Sequence, residues 1–221
     1  MPGSIMENTD APIAPPTTHI QNAPRLQPRH ATLNKNNQNT PITLYPISSG
    51  ASSLPEGLVE FLWREFNAEI ERGSTYPMDR TFSLEKFAEY WFGTFAVVVL
   101  MGEEEEIKDD GRDWERECLG TFYIKPNYPG RCSHVCNGGF ITTTAARGKG
   151  VGSVMGETYL EYAPKLGYRY SVFNLVFANN PASIRIWEKL GFNVIGRVPG
   201  AAQLANSEEP VDALIFGRDL V

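Results

Sequence analysis

The chain has 221 residues, 42% of them hydrophobic, enough to build the core of one ordinary domain with a tail. No apolar run reaches the roughly 18 residues needed to cross a bilayer, so a soluble protein is expected. The formal charge of -6 is concentrated between Glu103 and Glu117, where nine acidic residues face three basic ones, and no basic face is left for nucleic acid or an anionic membrane.

Residues 1–40 are rich in Pro, Asn, Gln and Thr and lack periodicity, which predicts a disordered tail, with the folded domain over 41–221. Arg25, Arg29 and Lys35 invite a transit-peptide reading, but Glu7, Asp10 and the missing amphipathic pattern speak against import. A strand is expected from Ile42 to Ile47. Ser53-Leu-Pro-Glu56 has the form of a capping box, and Leu58, Phe61, Leu62, Phe66 and Ile70 follow at helical spacing up to Gly73. A second helix is predicted from Ser83 to Phe92, closed by Gly93.

The β-branched run Phe95–Met101 and the segment Leu119–Ile124 read as an antiparallel pair joined by the acidic stretch, taken as a solvated loop. Further on come a strand through Phe140 and Ile141, a helix to Leu166, a strand over Tyr170–Phe177, a helix over Pro181–Leu190, a strand near Val194 and a last one over Ala213–Phe216. The expected class is α/β or α+β, with a mixed sheet flanked by helices. Cys118, Cys132 and Cys136 are an odd set without zinc spacing and read as reduced thiols of an intracellular protein, a redox pair being the alternative. No metal site is predicted.

Gly148, Gly150 and Gly152 stand at alternate positions before the third helix. A strand, a glycine turn and a helix N-terminus form an anion site, because unpaired N–H groups and the helix dipole point the same way. The Walker pattern fails, because Lys149 is followed by Gly150, and the Rossmann pattern fails, because Ser153 or Met155 stands where its last glycine belongs. What fits is R-x-x-G-x-G, as Arg147, Gly150 and Gly152, which resembles the pyrophosphate loop of the GNAT superfamily of acyl-CoA-dependent N-acyltransferases. Asn180-Pro-Ala-Ser-Ile-Arg-Ile-Trp-Glu-Lys-Leu-Gly-Phe192 also resembles that superfamily's helix after the fifth strand, with Asn180 placed as an N-cap.

The resemblance implies a single GNAT-type domain with a central, mostly antiparallel twisted sheet. It implies acetyl-CoA as donor, held by Phe140, Ile141 and Thr142, by Arg147, Gly148, Lys149, Gly150, Val151, Gly152 and Ser153, and by Asn180. One departure is Trp187, where the superfamily often has the tyrosine that protonates the leaving thiolate; indole cannot serve, which leaves water, the substrate's ammonium or another group.

At the other end of the site, Asn174 interrupts the apolar strand Ser171–Phe177, either bonded to its surroundings or turned to a ligand. The pair Gly138-Gly139 after Asn137 suggests a bulge or a close approach of backbone to ligand. The blocks Tyr90-Trp-Phe92, Leu119–Tyr128, Arg131-Cys-Ser-His134, Phe173–Phe177 and Glu209–Ala213 resemble the fungal L-azetidine-2-carboxylate N-acetyltransferases, over a span from Leu58 to the C-terminus. This implies Asn137 and Asn174 as the substrate-binding pair, a small imino acid as substrate, a homodimer, and a cytoplasmic or mitochondrial location. The acceptor nitrogen is expected to attack directly, with strand amides near Phe140 and Ile141 stabilising the oxyanion. Water is preferred as base over His134, the one histidine in the predicted domain.

Overall fold

Strand Ala96–Met101 shows how the chain builds its layers. Its side chains alternate between two cores, Val97 and Val99 entering one, Ala96, Val98 and Leu100 the other, and all five are fully buried. A strand buried on both sides needs helices on both faces. On one side Leu58, Leu62, Phe66 and Ile70 of a helix pack with Phe87, Trp91 and Phe92 of the next, and on the other Val151, Met155, Tyr159, Tyr162 and Ala163 pack with Trp187.

The computed structural model describes residues 25–35, 38–205 and 207–221. In chain order the elements are β1 Arg29–Lys35, β2 Gln38–Ile47, α1 Glu56–Arg72, α2 Leu84–Phe92, β3 Ala96–Met101, α3 Trp114–Glu117, β4 Cys118–Pro126, β5 Val135–Thr142, α4 Val151–Lys165, β6 Tyr170–Phe177, α5 Pro181–Lys189, β7 Asn193–Ala202 and β8 Val211–Asp219. The strands form one eight-stranded sheet in the order β1-β2-β3-β4-β5-β6-β8-β7. Every neighbouring pair is antiparallel except β5 and β6. This is the predicted single domain with a mixed, mostly antiparallel sheet.

Four expectations need correction. The predicted tail to residue 40 contains ordered chain: β1 pairs antiparallel with the start of β2, and the parts of the expectation covering residues 1–24 and 36–37 lie outside the described residues. Leu33 is buried, Ala31 packs beside it, and Arg29 binds Thr158, Glu157 and Glu161 on α4. Two apolar side chains among polar ones leave too weak a period to read.

The capping box does not form. Leu54 is extended, as a residue before proline is forced to be, so the helix starts after Pro55, while Ser53 Oγ donates to Gly50 O at 2.8 Å. The acidic stretch is exposed over most of its length, as expected, but its end is folded: Arg112 donates to Glu117 at 2.7 Å and to Met101 O at 2.9 Å, and α3 caps on Asp113. Finally β7 is ten residues long, but it is an edge strand with two bulges and mostly exposed side chains, so only its start showed a pattern.

Gly73 behaves as predicted, and the second helix starts where expected. Gly73 ends α1 at φ 60, and Ser83 caps α2 by accepting from Lys86 N–H.

Candidate active site

β5 and β6 pair only at Val135↔Tyr170 and Cys136↔Ser171, and beyond these residues the ladder stops. Tyr159 braces the last pair from beneath, its hydroxyl 3.0 Å from Cys136 Sγ and 2.7 Å from Ser171 Oγ. Above it the rings of Phe140, Phe173 and Trp187 pack under the opening, with centroids 4.9 Å apart for Phe140–Trp187 and 4.4 Å for Phe173–Trp187. The result is a cleft of about 670 Å³ between the strands, continuing to the start of α4 and to α5.

Backbone register decides which amides enter this cleft. Thr143 N–H donates to Leu119 O and Val135 O accepts from Asn127 N–H, and the β4–β5 register between them has no shift. Alternation then ties the odd-numbered residues of β5 to β4 and turns Gly138, Phe140 and Thr142 toward the cleft. Gly138 N–H is taken by Asn137 Oδ1 at 2.7 Å, and Phe140 O accepts from Tyr76 at 3.2 Å. Phe140 N–H is therefore directed into the opening, whereas Ile141 N–H belongs to the ladder and cannot share the oxyanion role expected of it.

Gly138 and Gly139 produce no bulge. A Cβ on Gly139 would lie 2.5 Å from Tyr123 Cε1, and one on Gly138 2.8 Å from Tyr159 Cε2, so the close approach they permit is to aromatic rings. The glycine loop differs. Gly148 and Gly150 have φ 69 and 89, Gly150 is the N-cap of α4, and no side chain caps that helix. A Cβ on Gly150 would meet no atom within 4 Å. A long helix thus opens its N-terminus onto a cleft, with backbone conformations that L side chains resist.

Of the predicted cofactor residues, Phe140, Ile141, Thr142, Arg147, Gly148, Gly150, Val151, Gly152, Ser153 and Asn180 line the cleft, and Lys149 does not. Lys149 is exposed and its N–H donates to Ala146 O, so the turn points it outward. Val151 and Ile141 are buried and offer the cleft little beyond backbone. Asn180 accepts from Ser183 N–H at 3.1 Å, the predicted cap.

Asn137 and Asn174 both line the cleft. Asn174 is bonded to a partner that sequence reading missed: its Nδ2 donates to Asn127 Oδ1 at 2.7 Å, and Asn127 Nδ2 donates to Asn174 Oδ1 at 3.2 Å. Asn127 is 2% exposed, so the pair is anchored in the protein. An amide has two N–H donors and two acceptor lone pairs, so one of each on Asn174 is not used by Asn127.

Glu69 was also missed. This buried carboxylate accepts from Arg147, from Arg72 and from Thr75 Oγ1, the last at 2.8 Å. One turn earlier Glu65 takes Thr144 N–H at 2.7 Å. Two acids on one face of α1 therefore hold the segment leading into the glycine loop and fix the guanidinium that faces the cleft. The available signal was an acid at position 69, adjoining the apolar stripe of Phe66 and Ile70.

His134 is exposed and does not line the cleft, nor does any residue from Glu103 to Glu117. Burial pushes the thiols of Cys118 and Cys136 up to about 12, so both stay protonated near neutrality and neither is a nucleophile. Cys132 is exposed. Iodoacetamide at pH 8 is expected to label Cys132 alone in the native protein and all three cysteines after denaturation, as read by mass spectrometry; native labelling of Cys136 would contradict the closed apex.

Residues 56–192 match the model of the acetyltransferase (GNAT) family. The chain belongs to this family. It is 43% identical over 166 residues to N-acetyltransferase aca1 of Schizosaccharomyces pombe, covering 73% of this chain and 79% of that one. It is 35% identical over 214 residues to Protein SPT10 of Saccharomyces cerevisiae, covering 80% of this chain but only 33% of that longer protein. The fold is that of yncA from Salmonella typhimurium, described as a putative acetyltransferase with its cofactor acetyl-CoA, at TM-score 0.60 and 16% identity over 80% of this chain and 94% of that one. The chain is thus an N-acetyltransferase of a family that uses acetyl-CoA, and its glycine loop, uncapped helix and paired guanidiniums fit a diphosphate. Among the described residues, no group of three or more His, Cys, Asp or Glu could hold a metal ion.

Proposed function

We propose that this GNAT enzyme acetylates the ring nitrogen of small cyclic imino acids, such as L-azetidine-2-carboxylate, cis-4-hydroxyproline or the cyclic form of glutamate semialdehyde. Such an activity would detoxify proline analogues and touch proline and arginine metabolism. The observation that carries the reading is Asn174, locked by buried Asn127 with one donor and one acceptor left toward the cleft, across the opening from Asn137. Neutral amides suit a carboxylate or hydroxyl on a small ring.

A polyamine would need anionic walls. The acidic stretch does not line the cleft, and Glu69, a carboxylate that does, is committed to two guanidiniums. In this reading Arg147 and the amides at the start of α4 hold the donor's diphosphate, and Asn180 holds the chain beyond it. Phe140 N–H faces the oxygen on which charge develops, in a site where a preorganised donor is worth about 2.7–4 kcal/mol. With His134 outside the cleft, water takes the acceptor's proton.

The test is thiol release from acetyl-CoA with L-azetidine-2-carboxylate, beside spermidine and glucosamine. Turnover with the imino acid alone is expected. Turnover with only the other two amines would remove the substrate assignment.

A further inference from the structure

Acyl transfer from a thioester makes a nitrogen–carbon bond and breaks a carbon–sulfur bond. The sulfur leaves with the electron pair, and the proton lost by nitrogen must end on it. A group that gives sulfur a hydrogen bond as the bond breaks lowers the barrier, provided its own proton is not already committed.

Several hydroxyls on the cleft wall are committed. Tyr76 donates to Phe140 O, and Thr75 to Glu69. Ser183, in the first turn of α5, is placed differently. Its Oγ accepts from Trp187 Nε1 at 2.8 Å. An indole N–H can only donate, so this bond has one direction, and the serine keeps its own proton for another acceptor. Accepting from N–H also polarises the hydroxyl and makes it the better donor.

The position is equally defined. Trp187 is 6% exposed and its ring stands against Phe140 of β5 and Phe173 of β6, the two strands that part to form the opening. Ser183 thus sits at the edge of the indole that floors the opening, and it lines the cleft together with Phe140, whose N–H is directed inward.

We propose that Ser183 is the hydrogen-bond donor and proton relay for the departing thiolate, with Trp187 orienting its hydroxyl. As the carbon–sulfur bond breaks, the Oγ proton passes to sulfur and Oγ recovers one from the attacking nitrogen through the water that takes it. The amine's proton ends on the thiol and the serine is unchanged. This rests on acetyl transfer from acetyl-CoA and is independent of which amine accepts.

The experiment compares wild type, Ser183→Ala, Ser183→Thr, Trp187→Phe and the Ser183→Ala/Trp187→Phe double variant. The donors are acetyl-CoA and its acetyl selenoester analogue, whose selenolate leaves without needing a proton. Rates are read with an amine acceptor and as slow hydrolysis without one, so failure of the imino acid assignment leaves the test intact. Ser183→Ala is expected to lower kcat on the thioester by about 100-fold with KM for acetyl-CoA within about threefold, and to stay within about threefold of wild type on the selenoester. Ser183→Thr should recover most of the loss, and Trp187→Phe should lose about threefold to tenfold. An equal loss on both donors, recovery of the wild-type rate in the double variant, or no loss in Ser183→Ala would overturn the proposal.

Discussion

Asn174→Ala is expected to lower kcat/KM for L-azetidine-2-carboxylate by about 100-fold, while KM for acetyl-CoA stays within about threefold. The specificity part follows from the free donor and acceptor that Asn174 offers the cleft; alanine leaves the substrate's polar groups without partners. The change also has a structural cost. Asn127 is buried and would lose both bonds to Asn174, worth about 1–3 kcal/mol, which lowers the melting temperature by about 2–4 °C for each kcal/mol in a chain of this size.

The two contributions can be separated. Asn127→Ala should destabilise and should weaken turnover by letting Asn174 swing. The double variant should be no slower than Asn174→Ala, because the partner's influence acts only through that side chain. Additive losses in the double variant, or an equal rise in KM for acetyl-CoA, would show that Asn174 holds the strands together and does not select the substrate.

The expectations that held and those that failed differ in the range of the interactions they depended on. The buried strand β3, the start of α2 near Ser83, the glycine ending α1 and the cap of α5 at Asn180 depend on neighbours within one helical turn or one strand, and all were legible. The capping box at Ser53 failed within that same range, because two local rules competed and the restriction imposed by Pro55 prevailed over the cap. Of the two readings of Gly138-Gly139, a bulge or a close approach of backbone to ligand, the bulge failed for a different reason. The rings that require glycine there belong to Tyr123 and Tyr159, brought alongside by β4 and α4.

The site follows the same division. The glycine loop carries its own signature because successive residues supply the backbone amides. Asn127 had none. It lies 47 residues from Asn174, directly after Pro126, in a stretch whose composition reads as an ordinary turn. Glu69 was half legible, as an acid beside an apolar stripe, but its two guanidinium partners come from its own helix end and from the glycine loop. Ser183 was hidden by its neighbour, since Asn180 explains the local chemistry of that turn without it.

Glycines in this chain serve packing at some positions and ligand access at others, and Gly150→Val tests the second kind. KM for acetyl-CoA is expected to rise by at least about 100-fold. At φ 89 a β-branched residue is strained by about 1–2 kcal/mol, but its Cβ would touch no protein atom within 4 Å, so the fold should survive. The side chain would instead stand in the open space before the first turn of α4, where, in the proposed reading, the diphosphate approaches the backbone N–H groups. Gly150→Asn makes the distinction sharper, because asparagine tolerates the left-handed region and relieves most of the strain while still occupying that space. If the asparagine variant melts close to wild type and still binds acetyl-CoA poorly, the glycine is there to admit the ligand. If it binds normally, the glycine serves only the turn, and the diphosphate lies elsewhere in the cleft.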